Sequence, residues 1–156
     1  MNDKNDTSVE TSNNKVVKIC DNEIVKLLKN TPNKDDRRKI ITSYLIKIME
    51  GNIIFKEQFC IKNTKRDTIH LAHNEHLDTS IALTQIYSLI KNSIYFSEQK
   101  VDSIKKPNSP NDYYWYFKSD VEIDGVLHSY VLNIGRNKTD KHICVYAITN
   151  YNKKER

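Results

Sequence analysis

The sequence predicts an α+β fold: N-terminal helices plus a further helix, packed on a small antiparallel sheet that ends in a three-stranded meander. Three observations predict it. Ile40, Ile41, Tyr44, Leu45, Ile48 and Met49 repeat at helical spacing along one continuous face. Asp124-Gly125, the dipeptide that a type I′ turn demands, separates two alternating segments, Tyr114–Ile123 and Val126–Ile134. A last alternating run, His142–Thr149, follows a basic loop.

Taken in order, residues 1–14 hold little but Asn, Asp, Ser and Thr around Val9, and are expected to be a disordered tail. Residues 15–51 are expected to be a helical N-terminal segment. Asp21 suits the cap of a short helix carrying Ile24, Val25, Leu27 and Leu28, which stops at Asn30-Thr31-Pro32 because the residue before a proline is pushed out of the α region. Asp35-Asp36 suit the start of the second helix and Gly51 its end. An α+β domain is expected over 52–150. There Ile53-Ile54-Phe55, Phe59-Cys60-Ile61 and Thr68-Ile69-His70-Leu71 read as extended, and Asp78 caps a helix through about Lys91. With Asp124-Gly125 as the loop, Ile123 pairs with Val126, Val121 with His128, Ser119 with Tyr130, Phe117 with Leu132 and Trp115 with Ile134. A slip of one residue would bury Glu122, Asp120 and Lys118, so the register is well specified. Residues 151–156 are expected to be a basic tail.

Composition bounds the function. At 156 residues the chain has room for one modest core. No apolar run reaches the ~20 residues of a membrane span, and the start MNDKNDTSVETSNN is too polar for a secretory signal, so a soluble, cytoplasmic protein is expected. Cys20, Cys60 and Cys144 are odd in number and far apart, which argues against a zinc site or a disulfide scaffold. The net charge of +5 is spread along the chain, so local clusters are more informative than the total. No Gly-rich phosphate loop and no G-x-S-x-G element is present, which disfavours nucleotide hydrolysis and acyl transfer.

The densest polar cluster runs from Lys62 to His76 and holds three of the five histidines within seven positions. It admits three readings: a solvated loop with a histidine at a helix entry, an HxxHxxH metal set lacking the carboxylate or cysteine that would complete it, or an acid–base centre. In the last, His70 or His73 removes a 2′-hydroxyl proton from RNA, and Lys65 and Arg66 hold the phosphate. RNA cleavage through the 2′-hydroxyl needs a base, an acid and a cation, and no cofactor or metal. The loop before the last strand brings Arg136, Lys138 and Lys141, and that strand brings His142 and Tyr146 as candidate acids. Any one of these lysines also fits the plainer role of keeping an edge hairpin soluble. His128 falls on the core face, as does Trp115, which leaves Tyr114 and Tyr116 as the candidates for stacking on bases.

The segments TKRDTIHLAHNEH, TSIALTQIYSLIKNSIYFSE, YYWYFKSDVEIDGVLHSYVLNI and HICVYAIT, taken in that order, resemble the barnase/EndoU/colicin/RelE-like nuclease superfamily. They are most similar to its phage-associated versions in head-morphogenesis and polyvalent proteins. The resemblance implies a metal-independent endoribonuclease, toxin-like and of phage or mobile-element origin. It implies RNA, tRNA included, as substrate and a cognate inhibitor as partner. It puts His70 and His73 where such domains place a histidine before the helix, and Arg136 and Tyr146 in the final hairpin. The extra N-terminal helices depart from the group and support an alternative, a non-enzymatic inhibitor or accessory protein that binds a protein partner.

Overall fold

A computed structural model describes residues 15–151; the tails expected at 1–14 and 152–156 lie outside the described residues. In chain order the elements are β1 (Val16–Ile19), α1 (Glu23–Lys29), α2 (Lys34–Met49), β2 (Ile54–Lys56), β3 (Phe59–Ile61), α3 (Lys65–Ala72), α4 (Leu77–Leu83), α5 (Ile86–Lys91), β4 (Ile94–Lys100), β5 (Asn111–Ile123), β6 (Val126–Asn137) and β7 (Ile143–Asn150). The fold is mixed α+β, and the C-terminal three strands form the meander.

The hairpin register is the one that the turn chemistry specifies: Ile123 opposite Val126, Val121 opposite His128, Phe117 opposite Leu132, Trp115 opposite Ile134. Asp124 and Gly125 both take positive φ, 51° and 78°, as a type I′ turn requires. Strand β7 adds antiparallel to β6, and β3 then adds parallel to β7. On its other side β5 carries β4 antiparallel and β1 parallel, giving one seven-stranded sheet in the order β1-β5-β6-β7-β3-β2, with β4 beside β5. Phe117, Val121, Leu132, Ile134 and Val145 face the helices and meet Val25, Leu28, Ile41, Leu45, Leu71, Ile81 and Leu89 in one buried core. Each such side chain contributes about 1.5–3 kcal/mol by leaving water. Helices α1 and α2 therefore share a core with the sheet.

Four elements differ from the sequence reading, each for a local reason. Val16–Ile19, expected within the helical segment, is strand β1, because β5 offers an open edge from Asp120 to Ile123. Thr68–Leu71, expected as extended, lies inside α3. Thr64 and Asp67 close a reciprocal capping box there: the Asp67 N–H donates to Thr64 Oγ1 (3.1 Å) and the Thr64 N–H to Asp67 Oδ2 (2.9 Å). The helix expected from Asp78 to Lys91 is two helices, broken at Thr84-Gln85, where Gln85 leaves the helical region at φ −115° and ψ 37°. Ile94–Lys100, beyond the expected end of that helix and given no element in the sequence reading, is strand β4. The cap residues also shift by one or two positions: Asn22 caps α1 in place of Asp21, and Asn33 caps α2 ahead of Asp35-Asp36.

Candidate active site on the tyrosine face of the sheet

Strand alternation gives β5 two unlike faces. Trp115 and Phe117 turn to the helices, and Tyr114 and Tyr116 turn to the opposite side, their rings 6.2 Å apart and nearly parallel. Tyr146 of β7 joins them, 5.7 Å from Tyr114. Between β4 and β5 the chain from Val101 to Pro110 folds over this face and forms the wall of an open groove of about 610 Å³. The three tyrosines line it together with Lys100, Lys105, Lys106 and Asp102. The wall is tied down at several points: the Val101 N–H donates to the Asp112 carbonyl (3.0 Å), the Lys138 N–H to the Pro110 carbonyl (2.9 Å) and Lys138 Nζ to the Pro107 carbonyl (3.0 Å).

Helix α3 supplies the imidazole. Asn63, just ahead of it, is buried and spans β7 with its amide: Nδ2 donates to the Val145 carbonyl (3.0 Å) and Oδ1 accepts from the Val145 N–H (2.8 Å). With the Lys62 N–H donating to the Ile143 carbonyl (2.8 Å), this fixes the start of α3 on β7. One and a half turns on, the His70 ring stacks on Tyr146 with centroids 3.8 Å apart and planes 16° apart. His70 Nδ1 lies 2.8 Å from the Tyr146 carbonyl. A carbonyl only accepts, so Nδ1 carries the proton and neutral His70 keeps its lone pair on Nε2. That is the tautomer a general base needs.

Burial raises the pKa of the Tyr146 phenol, and the nearby Tyr114, Cys144 and Asp67 charges add to the rise against an opposing contribution from Arg66. Tyr116 is raised by burial and then by Tyr114. Both phenols are therefore proton donors at neutral pH. Arg66 precedes His70 by four residues on α3 and shares its face; Lys65 opens the helix, exposed. His73 is the C-cap of α3, its N–H donating to the His70 carbonyl (3.1 Å), and stands exposed.

The cationic loop is engaged elsewhere. Arg136 pairs with Tyr113 in the register and lies over its ring, on the face away from Tyr146; its Nε donates to Asp112 Oδ1 (2.8 Å). Lys141 Nζ reaches the other oxygen of Asp112 (2.5 Å). The Arg136 guanidinium, aided by Lys141, holds the Asp112 carboxyl below its usual range. A depressed folded-state pKa contributes stability above the unfolded value, near 3.9, that is lost as pH falls through the folded value. Asp112→Asn is accordingly expected to flatten the fall of the urea midpoint with acid below about pH 4; an unchanged acid limb would show that this triad adds nothing.

His142 stands between two carboxylates, with Nε2 2.7 Å from Asp67 Oδ2 and Nδ1 2.5 Å from Asp140 Oδ1. Burial opposes charging the ring, but Asp67 and Asp140 outweigh it and its pKa is raised. Lys56 Nζ donates to the Ser93 carbonyl (2.7 Å) and caps the turn after α5. His128 is half-buried and stacks against Tyr130.

The structure thus brings together His70, Tyr146, Tyr116 and Arg66, with Lys138 bracing the wall. It sets Arg136 and Lys141 on Asp112 and encloses His142. The sequence reading missed Lys100, Lys105 and Lys106; the one signal for them is the run KKPNSP, a basic, proline-punctuated loop before a tyrosine-rich strand. It also missed Gly135, opposite Tyr114. A Cβ there would meet Asn111 Nδ2 at 2.8 Å and Tyr114 Cε1 at 3.1 Å. Gly135→Ala is expected to cost about 1–3 kcal/mol by overpacking and to displace the Tyr114 ring from the groove floor. Urea denaturation together with Tyr fluorescence would check both effects.

No protein-family model, curated protein or solved structure matches this chain.

Proposed function

We propose that the chain is a metal-independent endoribonuclease that takes single-stranded RNA, tRNA included, into the tyrosine groove and acts in the cytoplasm. The observation that carries the reading is His70 stacked on Tyr146 with Nδ1 tied to a backbone carbonyl, at the edge of a groove lined by phenols and lysines. Bases stack on the Tyr114 and Tyr116 rings, a contact worth about 1–3 kcal/mol per base and indifferent to sequence. Lys100, Lys105 and Lys106 follow the phosphates. His70 Nε2 removes the proton of a 2′-hydroxyl, whose oxygen attacks the adjacent phosphorus. Arg66 and Lys65 offset the charge that gathers on the phosphorane. The bond to the 5′-oxygen breaks, the Tyr146 phenol protonates that oxygen, and a 2′,3′-cyclic phosphate remains; solvent then resets the His70 and Tyr146 protons. Membrane attachment has no part in this reading, and among the described residues no helix is long and apolar enough to cross a membrane.

Incubating the purified chain with end-labelled single-stranded RNA in EDTA tests the reading. Cyclic-phosphate ends, and resistance of the same strand carrying 2′-deoxy sugars, are the expected result. Intact RNA with salt-sensitive binding would reduce the groove to a binding site, and intact RNA without binding would end the proposal. A second reading, a non-enzymatic inhibitor or accessory protein, draws on another surface. Lys29 of α1 bonds Asp124 at the hairpin tip (2.8 Å), and beside that bridge Leu27, Val126 and Leu127 are 50%, 57% and 57% exposed. A stable complex with a protein, in a chain that leaves RNA intact, would favour it.

A further inference from the structure

The carboxylate of Asp67, His142 Nε2 and the Cys144 thiol converge beneath α3, their ligand atoms all within 4.8 Å of one another. Asp67 lies on α3, His142 just ahead of β7 and Cys144 on it, with 75 positions between Asp67 and His142, so no spacing rule reveals them. We infer that they form a zinc site that clasps α3 to the start of β7.

Four observations carry this. The donor set is one oxygen, one imidazole nitrogen and one sulfur, each a zinc ligand, and three protein ligands leave a fourth position for water. His142 turns Nε2 to the cluster while Nδ1 faces the Asp140 carboxylate at 2.5 Å, the outer carboxylate–histidine contact that orients metal-bound imidazoles. Cys144 is fully buried, whereas Asp67 and His142 keep 13% and 22% side-chain exposure, which gives an ion a way in. Asp67 already touches both of the other ligand residues, its Oδ2 lying 2.7 Å from His142 Nε2 and its carboxylate hydrogen-bonded to the Cys144 thiol, so the three donors converge without an ion. Bond lengths of about 2.0–2.3 Å to zinc place tetrahedral ligand atoms about 3.3–3.7 Å apart, so the 2.7 Å His142–Asp67 contact opens as the ion enters, within a cluster no wider than 4.8 Å. The thiol proton leaves to solvent as the ion binds.

The site goes beyond the proposed RNA chemistry, since the ion touches neither His70 Nε2 nor the groove lysines, and its test reads the metal directly. The full chain, dialysed against a chelator, is titrated with Zn²⁺ by calorimetry and with Co²⁺ by absorption. One equivalent of either ion is expected, and Co²⁺ is expected to give a near-ultraviolet thiolate charge-transfer band with intense tetrahedral bands in the visible. Cys144→Ser should remove the charge-transfer band, whereas a Cys20→Ser/Cys60→Ser variant, altered at the two exposed cysteines, should keep it. Asp140→Asn should weaken zinc 10- to 100-fold, the usual effect of losing an outer carboxylate. His142→Asn should weaken it more, which keeps the test open if Cys144→Ser does not fold. No saturable binding, a pale octahedral Co²⁺ spectrum, or full affinity in both His142→Asn and Cys144→Ser would overturn the site.

Discussion

Alanine in place of His70 is expected to lower the RNA cleavage rate by about 10²–10⁴-fold, the usual contribution of a positioned general base. The loss should fall on kcat. Base stacking rests on Tyr114 and Tyr116 and phosphate contact on lysines, none of which His70 holds in place, so KM should change little. The structural cost should be small, because the ring is exposed and its Nδ1 bonds a carbonyl that already lies in a strand. Rescue separates chemistry from positioning: added imidazole should restore part of the activity of His70→Ala if the lost group is the base, and none if the ring only positions Tyr146. Tyr146→Phe keeps the stack and removes only the hydroxyl. It should slow cleavage of a substrate with a natural 5′-oxygen leaving group and spare one whose leaving group needs no proton. Equal activity of His70→Ala and wild type would remove the base from the scheme and the enzyme with it.

What the sequence made legible follows from which interactions are local. The Asp124-Gly125 turn fixes the hairpin register by backbone geometry alone, and every pair walked out from it is present. Helix α2 was legible because its apolar face repeats without interruption from Ile40 to Met49. Elements whose state is decided by partners were not. Val16–Ile19 becomes a strand only because β5 ends with an open edge, and Ile94–Lys100 pairs with the same strand further along. Helix α3 lay in between: the Thr64–Asp67 box was present in the letters, but Thr68-Ile69 carry β-branched side chains and read as extended. For the site, residue types were informative and geometry was not. His70 and Tyr146 could be named as acid–base candidates, yet their stacking depends on how Asn63 seats α3 on β7. Arg136 shows the reverse. Its sign suited a phosphate, but strand alternation places it on the far face, where Asp112 holds it.

The same dependence makes Asn63 the residue whose loss should reach furthest from its own position. Its amide does for Val145 what a neighbouring strand would do, giving the N–H an acceptor and the carbonyl a donor within a site only 8% exposed. Asn63→Ala leaves both backbone groups without partners, and at about 1–3 kcal/mol for each buried polar group the expected destabilisation is roughly 2–6 kcal/mol by urea unfolding. Asn63→Asp keeps the acceptor for the Val145 N–H but sets a carboxylate oxygen against the Val145 carbonyl, so it should not rescue, whereas an isosteric mimic of the amide alone would. The effect should extend to catalysis. Asn63 and Lys62, with the Asp67–His142 contact beside them, join the start of α3 to β7, and His70 meets Tyr146 through that junction. A shift of about 1 Å at a reacting group costs on the order of 10²-fold in rate. In the still-folded fraction, Asn63→Ala should therefore lower kcat by that order while RNA affinity stays near wild type. A destabilisation under 1 kcal/mol would mean that water replaces the amide on Val145, and that α3 is held chiefly by Leu71 and Ala72 in the core.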